Sequence, residues 1–367
     1  MEKITILGAG NGACATAADL TLKGFPVTLC SRPASKTLKE IQEKGGLECT
    51  GLLGERFVPL HQITTNLNKA VEEADLVIIV VPGKGHEDYA RALAPLLQEG
   101  QMVFLSPGHV GGSLHFQRIL KEVAPTLRIK VGEANILPYG CRLIGPARVV
   151  VYVINPAVRF GAFPGKHIHD LEEIVKKLYP SFVPAKNVLE CGMNYLNAWM
   201  HVPGMIMNAG WIEFTRGDFN FYYQGITPAV GRALEALDRE RVQGLIKLDL
   251  PPIPFLDLFY RSGYTTQEAW SSGSAYRAFQ ESEANKSRKS PQDFSHRYMM
   301  EDCPYGLLPM SEFCHWAGVS TPVMDALNRL SSVATGIDLR KAGLTLDKMG
   351  LAGLDVKEKD AFLSEGY

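Results

Sequence analysis

The sequence lacks the features that mark several common classes of protein. Its seven cysteines are scattered without a CxxC pair, which argues against a disulfide framework or a zinc site and fits a reducing cytosol. No apolar run approaches the ~20 residues that span a bilayer, and the opening MEKITILGAG predicts a strand and a loop rather than a cleavable signal. The formal net charge is −1, so nothing favours nucleic acid or an anionic membrane as a partner. We therefore expect a cytoplasmic globular protein without a metal site.

The remaining pattern is that of a two-domain α/β protein. The chain has 367 residues, of which 46% are hydrophobic, and this length allows two domains. Apolar strands first alternate with helices and short glycine turns, as in KITILGAG, PVTLCSR and ADLVIIVVPG, which predicts a Rossmann-type, doubly wound parallel sheet. From about Asn194 the apolar period is helical. We expect a dinucleotide-binding domain over 1–186 and an all-helical substrate and catalytic domain over 187–367.

The first predicted strand runs into a glycine-rich turn that opens a helix. The turn matches G-x-G-x-x-G/A, in which the glycines permit the tight turn and the approach of a pyrophosphate to the helix N-terminus. Its position after a strand and before a helix is the context that this pattern requires. We expect a nicotinamide dinucleotide at Gly8, Ala9, Gly10, Asn11, Gly12 and Ala13, with Val81 and Pro82 at the end of a neighbouring strand.

The end of the second predicted strand indicates which dinucleotide binds. NAD sites usually carry an acid there, whereas an arginine accommodates the 2′-phosphate of NADP. The segment CSRPASK supplies Ser31, Arg32 and Lys36, and the first acid after the strand is Glu40. Arginine can hold a phosphate through two parallel hydrogen bonds. The sequence therefore favours NADP(H) over NAD(H), although a solvated surface turn explains the same residues.

The helical half contains the candidates for chemistry. YLNAWMHVPGM places His201 beside Pro203, which kinks or starts a helix; the histidine is either a satisfied core residue or an acid–base catalyst. Arg297 and Asp302 stand five residues apart before a proline–glycine turn. An arginine can hold a carboxylate and an aspartate can orient a histidine, but an ordinary ion pair is the simpler interpretation. FNFYYQGITPAVG, over 219–231, either lines a cleft or holds structural tyrosines.

These motifs together resemble the octopine/nopaline-type opine dehydrogenases, and among them the bacterial N-(1-D-carboxylethyl)-L-norvaline dehydrogenase type. The resemblance extends over nearly the whole chain and rests on ILGAGNG, LSPGHVGGSLHFQRIL, NAWMHVPGMIMNAG, FYYQGITPAVG, RYMMEDCPYGLLPMSE and DLRKAGLTLDKMGLAGL. It implies that His201 is the catalytic histidine, Asp302 its orienting partner and Arg297 a substrate-binding residue. Relatives that use NAD carry an acid at the end of the second strand, where Ser31 stands here.

The resemblance implies reductive condensation of the amino group of an amino acid with a 2-oxo acid such as pyruvate. The apolar side chains around His201 predict an apolar amino-acid substrate, or else a helical core; they are Trp199, Met205, Met207 and Trp211. Two alternatives stay open. A reductase of the ketopantoate or glycerol-3-phosphate type needs a helical-domain lysine, and none lies between Asn194 and Ile246. A non-catalytic NADP(H) sensor would bind the cofactor without turnover. Partners other than small-molecule substrates are not expected, apart from a possible second copy in a homodimer.

Overall fold

The computed structural model describes residues 2–367, which form two compact units. The sheet unit contains the residues up to Gly108 together with 112–188 and 360–367, and the helical unit contains 109–111 and 189–359. No helix in the described part of the chain is both long and apolar enough to cross a membrane.

The described residues contain strands only in the sheet unit. The strands are β1 Ile4–Leu7, β2 Val27–Cys30, β3 Gly46–Gly51, β4 Arg56–Pro59, β5 Gln62–Thr64, β6 Leu76–Ile79, β7 Met102–Leu105, β8 Lys130–Ala134, β9 Tyr139–Gly145, β10 Arg148–Ile154, β11 Arg159–Phe163 and β12 Val183–Pro184.

Helices occur in both units. They are α1 Asn11–Leu22, α2 Lys36–Lys44, α3 Leu67–Val71, α4 His86–Leu93, α5 Gly112–Val123, α6 Ile168–Leu178, α7 Val188–Met193, α8 Leu196–Met207, α9 Ala209–Thr215, α10 Pro228–Lys247, α11 Phe255–Arg261, α12 Gln267–Ser271, α13 Ala275–Gln280, α14 Arg297–Met300, α15 Leu308–Trp316, α16 Pro322–Thr335, α17 Leu339–Ala342 and α18 Lys359–Glu365.

The central sheet has eight strands in the order β12-β11-β8-β7-β6-β1-β2-β5 and is parallel from β5 to β8. Strands β1, β2, β6 and β7 are buried along their whole length, as their continuous apolar runs predict. Leu7 lies opposite both Cys30 and Ile79, so the carboxyl ends of three strands meet at one edge of the sheet. The expected fold class, a Rossmann-type sheet followed by a helical domain, is confirmed.

A second sheet, which the sequence did not predict as a unit, has four strands in the order β4-β3-β10-β9. Helix α1 packs against it, and the Leu143 backbone N–H on β9 donates a hydrogen bond to Asn11 Oδ1 over 2.9 Å. The first turn of α1 is thereby fixed in place.

The C-terminal residues differ from the expected domain ranges. Residues 360–367 belong to the sheet unit, whereas the range 187–367 placed them in the helical domain. The rings of Phe362 and Tyr367 lie 5.3 Å and 5.6 Å from that of Phe163, and Lys166 pairs with Glu365 over 2.9 Å. These aromatic contacts explain the difference, because a short helical pattern does not reveal which core it covers.

Helix α8 forms because its sequence is apolar on nearly every side, and such a helix is stable when it is buried. Of the two outcomes expected at Pro203, a helix start is contradicted, because α8 starts at Leu196 and continues through Pro203 to Met207. The proline deletes one backbone hydrogen bond, which the packing of a buried helix can offset. Arg241, itself buried, donates to the Met193 carbonyl and the Asn194 side chain just before α8.

Candidate active site

The glycine turn after β1 has the shape that its sequence predicts. Gly8 has φ +128°, and a Cβ there would lie 2.5 Å from the Val80 carbonyl oxygen, so only glycine fits. A Cβ on Gly12 would lie 2.8 Å from Leu137 Cδ2. Around Gly10, in contrast, a Cβ would meet no atom within 4 Å. The turn is tight where it meets the protein and open where a ligand would approach.

The residues present fit a dinucleotide. Helix α1 begins after Gly10 without a side-chain cap, so its first N–H groups are available to a pyrophosphate. Ala13 is buried and Ala9 is partly buried. Asn11 instead uses its side-chain oxygen on the second sheet.

Ser31, Arg32 and Lys36 follow β2 at the edge where β1 and β6 also end. Arg32 and Lys36 are exposed, and no carboxylate among residues 2–367 forms an ion pair with either. Val81 lies against the turn, because its Cγ1 is 3.3 Å from the Cβ position of Gly8. Pro82 is exposed beside it. The two cations are thus free to bind an anion at this edge.

In the helical unit, the structure brings His201 and Asp302 into direct contact. His201 Nδ1 lies 2.6 Å from Asp302 Oδ2, and both side chains are almost completely buried. Asp302 precedes a π-helical turn over Cys303–Leu307, in which the Leu307 N–H donates to the Asp302 carbonyl. Such turns are frequent at functional sites. A Cβ on Gly306 would lie 2.5 Å from Ala198 Cβ, so this glycine permits the close approach of the turn to α8.

Two tyrosines fix the other side of the imidazole. His201 Nε2 lies 2.7 Å from the Tyr222 hydroxyl. The Tyr298 ring stacks on the imidazole with centroids 3.5 Å apart, and its hydroxyl oxygen is 3.3 Å from that of Tyr222. The segment of Tyr222 can approach α8 closely, since a Cβ on Gly204 would lie 2.7 Å from Phe221 Cζ.

A further set of polar contacts begins at Asp302 Oδ1, the carboxylate oxygen that does not contact His201. The Tyr195 hydroxyl donates to Asp302 Oδ1 over 2.5 Å and lies 3.2 Å from His109 Nδ1. His109 Nε2 is 3.0 Å from Glu301 Oε1, and Glu301 Oε2 is 3.4 Å from Arg297 Nε. Arg297 is about half exposed, with 53% of its side-chain surface accessible.

Burial and neighbouring charges shift the pKa values of His201, Asp302 and Tyr222 in different directions. Burial lowers the pKa of His201 and outweighs the opposing effect of Asp302. Burial would raise the pKa of Asp302, but His201 and Arg297 hold it below its ordinary value. Burial raises the pKa of the Tyr222 hydroxyl well above its usual range. The arrangement is therefore an ionised aspartate and a neutral imidazole whose Nδ1–H donates to it, which leaves Nε2 as an acceptor for Tyr222.

The structure thus brings together His201, Asp302 and, through Glu301, Arg297. The sequence missed the tyrosines as site residues, although Tyr222 lies in a segment that it selected and Tyr298 lies in the motif of Arg297. It also missed Glu301 and His109. Of the side chains named for an apolar pocket, Trp199 and Met205 are buried in the helical unit and Trp199 stacks on Phe255 with centroids 3.2 Å apart, as the core alternative predicts. Trp211, which stacks on Phe219, and Met207 are exposed.

Known proteins share both units. The family described as NAD/NADP octopine/nopaline dehydrogenase, alpha-helical domain, matches residues 184–335, and the one described as ketopantoate reductase PanE/ApbA matches residues 4–154. An opine dehydrogenase from Arthrobacter sp. (strain 1C) is 35% identical over 351 residues, which cover 95% of each chain. The chain belongs to the opine dehydrogenase family.

Two solved structures have the same fold. An octopine dehydrogenase with NADH and L-arginine has a TM-score of 0.79 at 21% identity and covers 100% of this chain and 99% of its own. A yersinopine dehydrogenase with NADP⁺ has a TM-score of 0.73 at 17% identity and covers 100% and 98%.

Family membership fixes the type of reaction. This opine dehydrogenase is an NAD(P)-dependent oxidoreductase that acts on CH–NH bonds and condenses an amino acid reductively with a 2-oxo acid. The ketopantoate-type family model matches residues 4–154, the part of the chain where the sequence predicted such a similarity. The two alternatives considered from the sequence are therefore set aside.

Proposed function

We propose that this opine dehydrogenase uses His201 as its general acid and base, Asp302 to orient it and Arg297 to hold a substrate carboxylate, with NADP(H) as the preferred cofactor. The observation that carries this proposal is the 2.6 Å contact between His201 Nδ1 and Asp302. It leaves Nε2 as the nitrogen that can exchange a proton.

The condensation needs one group that accepts a proton and later returns it. The amino acid must lose a proton from its ammonium before it attacks the keto carbon, and the resulting hydroxyl must leave as water. A neutral His201 can accept the first proton at Nε2 and return it to the departing hydroxyl, an effect typically worth 10²–10⁴-fold. Asp302 keeps the tautomer correct and stabilises the imidazolium that forms. The Tyr222 hydroxyl lies at Nε2 and must move aside or pass the proton on.

Arg297 is suited to the carboxylate of the 2-oxo acid. Its contact with Glu301 uses Nε, and the two terminal nitrogens can form a two-point contact with a carboxylate. The octopine dehydrogenase of similar fold has also been solved with pyruvate, which supports pyruvate as the oxo acid here.

The preference for NADP(H) rests on Arg32 and Lys36, which are exposed cations at the strand edge, and on the absence of an acid at Ser31. A carboxylate at that position would repel the 2′-phosphate. The bound cofactor supplies the hydride that reduces the imine carbon, and the protein supplies position.

The amino acid is proposed to carry an apolar side chain. The carboxylates that act on the pKa of His201 are Asp302 and Glu301, and both are already paired inside the helical unit. A second cation on the substrate would find no further carboxylate among these residues. Following NADPH oxidation with pyruvate plus norvaline, leucine, methionine or phenylalanine tests this, and faster turnover with arginine or lysine would contradict it.

The acid–base proposal is tested with His201→Ala. We expect kcat to fall by roughly 10²–10⁴-fold, while NADPH affinity, read by fluorescence, stays close to wild type. His315→Ala is the matched control, because His315 also pairs with a carboxylate, at 3.1 Å from Asp325, but is exposed. Loss of thermal stability with normal turnover of the folded fraction would instead make His201 a structural core residue.

A further inference from the structure

His109 stands in an unusual backbone conformation between β7 and α5. Its φ is +61°, in the left-handed region that residues other than glycine seldom adopt. The next residue is held firmly, since the Val110 N–H donates to the Tyr305 carbonyl over 3.1 Å. A Cβ on Gly111 would lie 2.2 Å from Met349 Sδ. The backbone that follows His109 is thus closely packed, and residues held in such a conformation cluster at functional sites.

The imidazole of His109 is buried and has an oxygen at each nitrogen. Nδ1 lies 3.2 Å from the Tyr195 hydroxyl and Nε2 lies 3.0 Å from Glu301 Oε1. Tyr195 has a single hydroxyl proton, and the shorter contact shows that it goes to Asp302. The Tyr195 oxygen is then left as an acceptor toward His109 Nδ1, and a proton on Nδ1 makes Tyr195 a stronger donor to the aspartate.

We propose that His109 is a positioning residue. It holds Tyr195 in its hydrogen bond to Asp302 and Glu301 in its ion pair with Arg297, and so fixes both the acid–base pair and the substrate-binding arginine. This inference rests on the function proposed above for His201. His109 contacts neither the His201 imidazole nor Arg297. It acts on them through Tyr195 and Glu301.

The first consequence concerns proton transfer. The hydrogen bond from Tyr195 draws negative charge away from the Asp302 oxygen that faces His201. Without it, Asp302 stabilises the imidazolium more strongly, and the pKa of His201 rises. Tyr195, Tyr305 and Glu301 face His109, and His201, Arg297, Tyr195 and Glu301 act on Asp302. The groups that act on or contact His201 include Asp302, Tyr222, Tyr298, Arg297, Glu301 and His296.

The second consequence concerns the arginine. Glu301 divides its two carboxylate oxygens between His109 and Arg297, and the contact with His109 helps to keep its pKa low. If the imidazole is removed, the Glu301 charge is balanced by Arg297 alone. The guanidinium is then held more tightly by its own chain and binds a substrate carboxylate less well.

The test compares His109→Asn, Tyr195→Phe and the control His315→Asn. Asparagine tolerates the left-handed backbone better than most residues, so His109→Asn removes the imidazole with little strain. We expect kcat of His109→Asn to fall about tenfold, as small misplacements of catalytic groups do, and the KM for pyruvate to rise several-fold. The acid limb of kcat/KM for opine oxidation should move up by about half a pH unit. Tyr195→Phe should move the same limb but leave the KM for pyruvate near wild type, and His315→Asn should change neither.

Other outcomes separate the two proposals. If His201→Ala abolishes turnover while His109→Asn keeps the wild-type pH limb and KM, His109 has no positioning role and the proposed function stands. If His201→Ala turns over normally, the proposed function itself fails. If His109→Asn does not fold, Tyr195→Phe decides the proton-transfer part of the proposal. That part is overturned if the acid limb of kcat/KM for opine oxidation stays at its wild-type pH in this variant. An equal loss of kcat in His315→Asn would show a nonspecific effect on stability and would also overturn the proposal.

Discussion

The glycine turn of the sheet unit and the histidine site of the helical unit are built in opposite ways. The turn between Gly8 and Gly12 has little side-chain bulk, which leaves the backbone N–H groups at the α1 N-terminus open to a ligand. The histidine site consists of ionisable and aromatic side chains, nearly all buried, each of which contacts the next. The turn should therefore lose cofactor affinity when a side chain is added. The histidine site should lose kcat when a single polar atom is exchanged.

The largest effect should follow from exchanging one atom in the histidine site. In Asp302→Asn the shape is kept, but the amide can donate to Nδ1 and so favours the tautomer whose Nε2 carries the proton. We expect kcat to fall by roughly 10²–10⁴-fold, with NADPH affinity unchanged. Steady-state kinetics and cofactor fluorescence measure the two quantities. A variant that keeps wild-type kcat would show that the carboxylate charge is not needed.

The next effect comes from adding one carbon to the turn. Gly8→Ala places a Cβ 2.5 Å from the Val80 oxygen at φ +128°, so both the melting temperature and NADPH affinity should fall, the latter by about tenfold or more. Gly10→Ala is the matched variant, because its Cβ meets no protein atom. It should weaken NADPH binding alone. A lower melting temperature for Gly10→Ala would mean that this space is not reserved for a ligand.

A smaller effect is expected at the end of β2. Ser31→Asp with Arg32→Ile introduces a charge that repels the 2′-phosphate and removes a cation that attracts it, so the ratio of kcat/KM for NADPH to that for NADH should fall by about tenfold. The wild-type enzyme should prefer NADPH. Equal use of both cofactors by the wild type, or a preference for NADH, would refute the role given to these residues.

The smallest effect is a displacement on the pH axis. Burial lowers the pKa of His201, so the neutral base needed for opine oxidation persists below the ordinary histidine value of about 6.5. Activity should therefore be lost on the acid side at a pH lower than that value, in a profile of log kcat/KM for the opine. An acid limb above pH 6.5 would show that Asp302, rather than burial, dominates the imidazole.

The sequence revealed most of the sheet unit because its constraints are local. A glycine turn, a buried strand and a missing acid can each be recognised within a few residues, and the structure places Gly8 and the strands where they were expected. The second sheet escaped prediction because β3 and β10 pair across almost a hundred intervening residues, and such pairing leaves no local pattern.

The histidine site was predicted only in part. His201, Arg297 and Asp302 were found through family motifs, whereas their assignment from residue type alone stayed open. Tyr222 and Tyr298 could have been suspected from the polar aromatic segments that contain them. His109 lies in the motif LSPGHVGG, but its contacts could not be foreseen, because they depend on its left-handed backbone and on partners in distant segments. Which side chains share a network is set by packing, and composition does not record it.

The packing of residues 360–367 on β11 has a consequence for how the protein is made. These residues complete the core around Phe163, yet the ribosome releases them only after the whole helical unit has been synthesised. The usual order, in which an N-terminal domain finishes folding before the next one emerges, is therefore not open to this chain. Until residues 360–367 are synthesised, the aromatic surface around Phe163 stays uncovered. A fragment that stops after Val188 should expose that surface and aggregate.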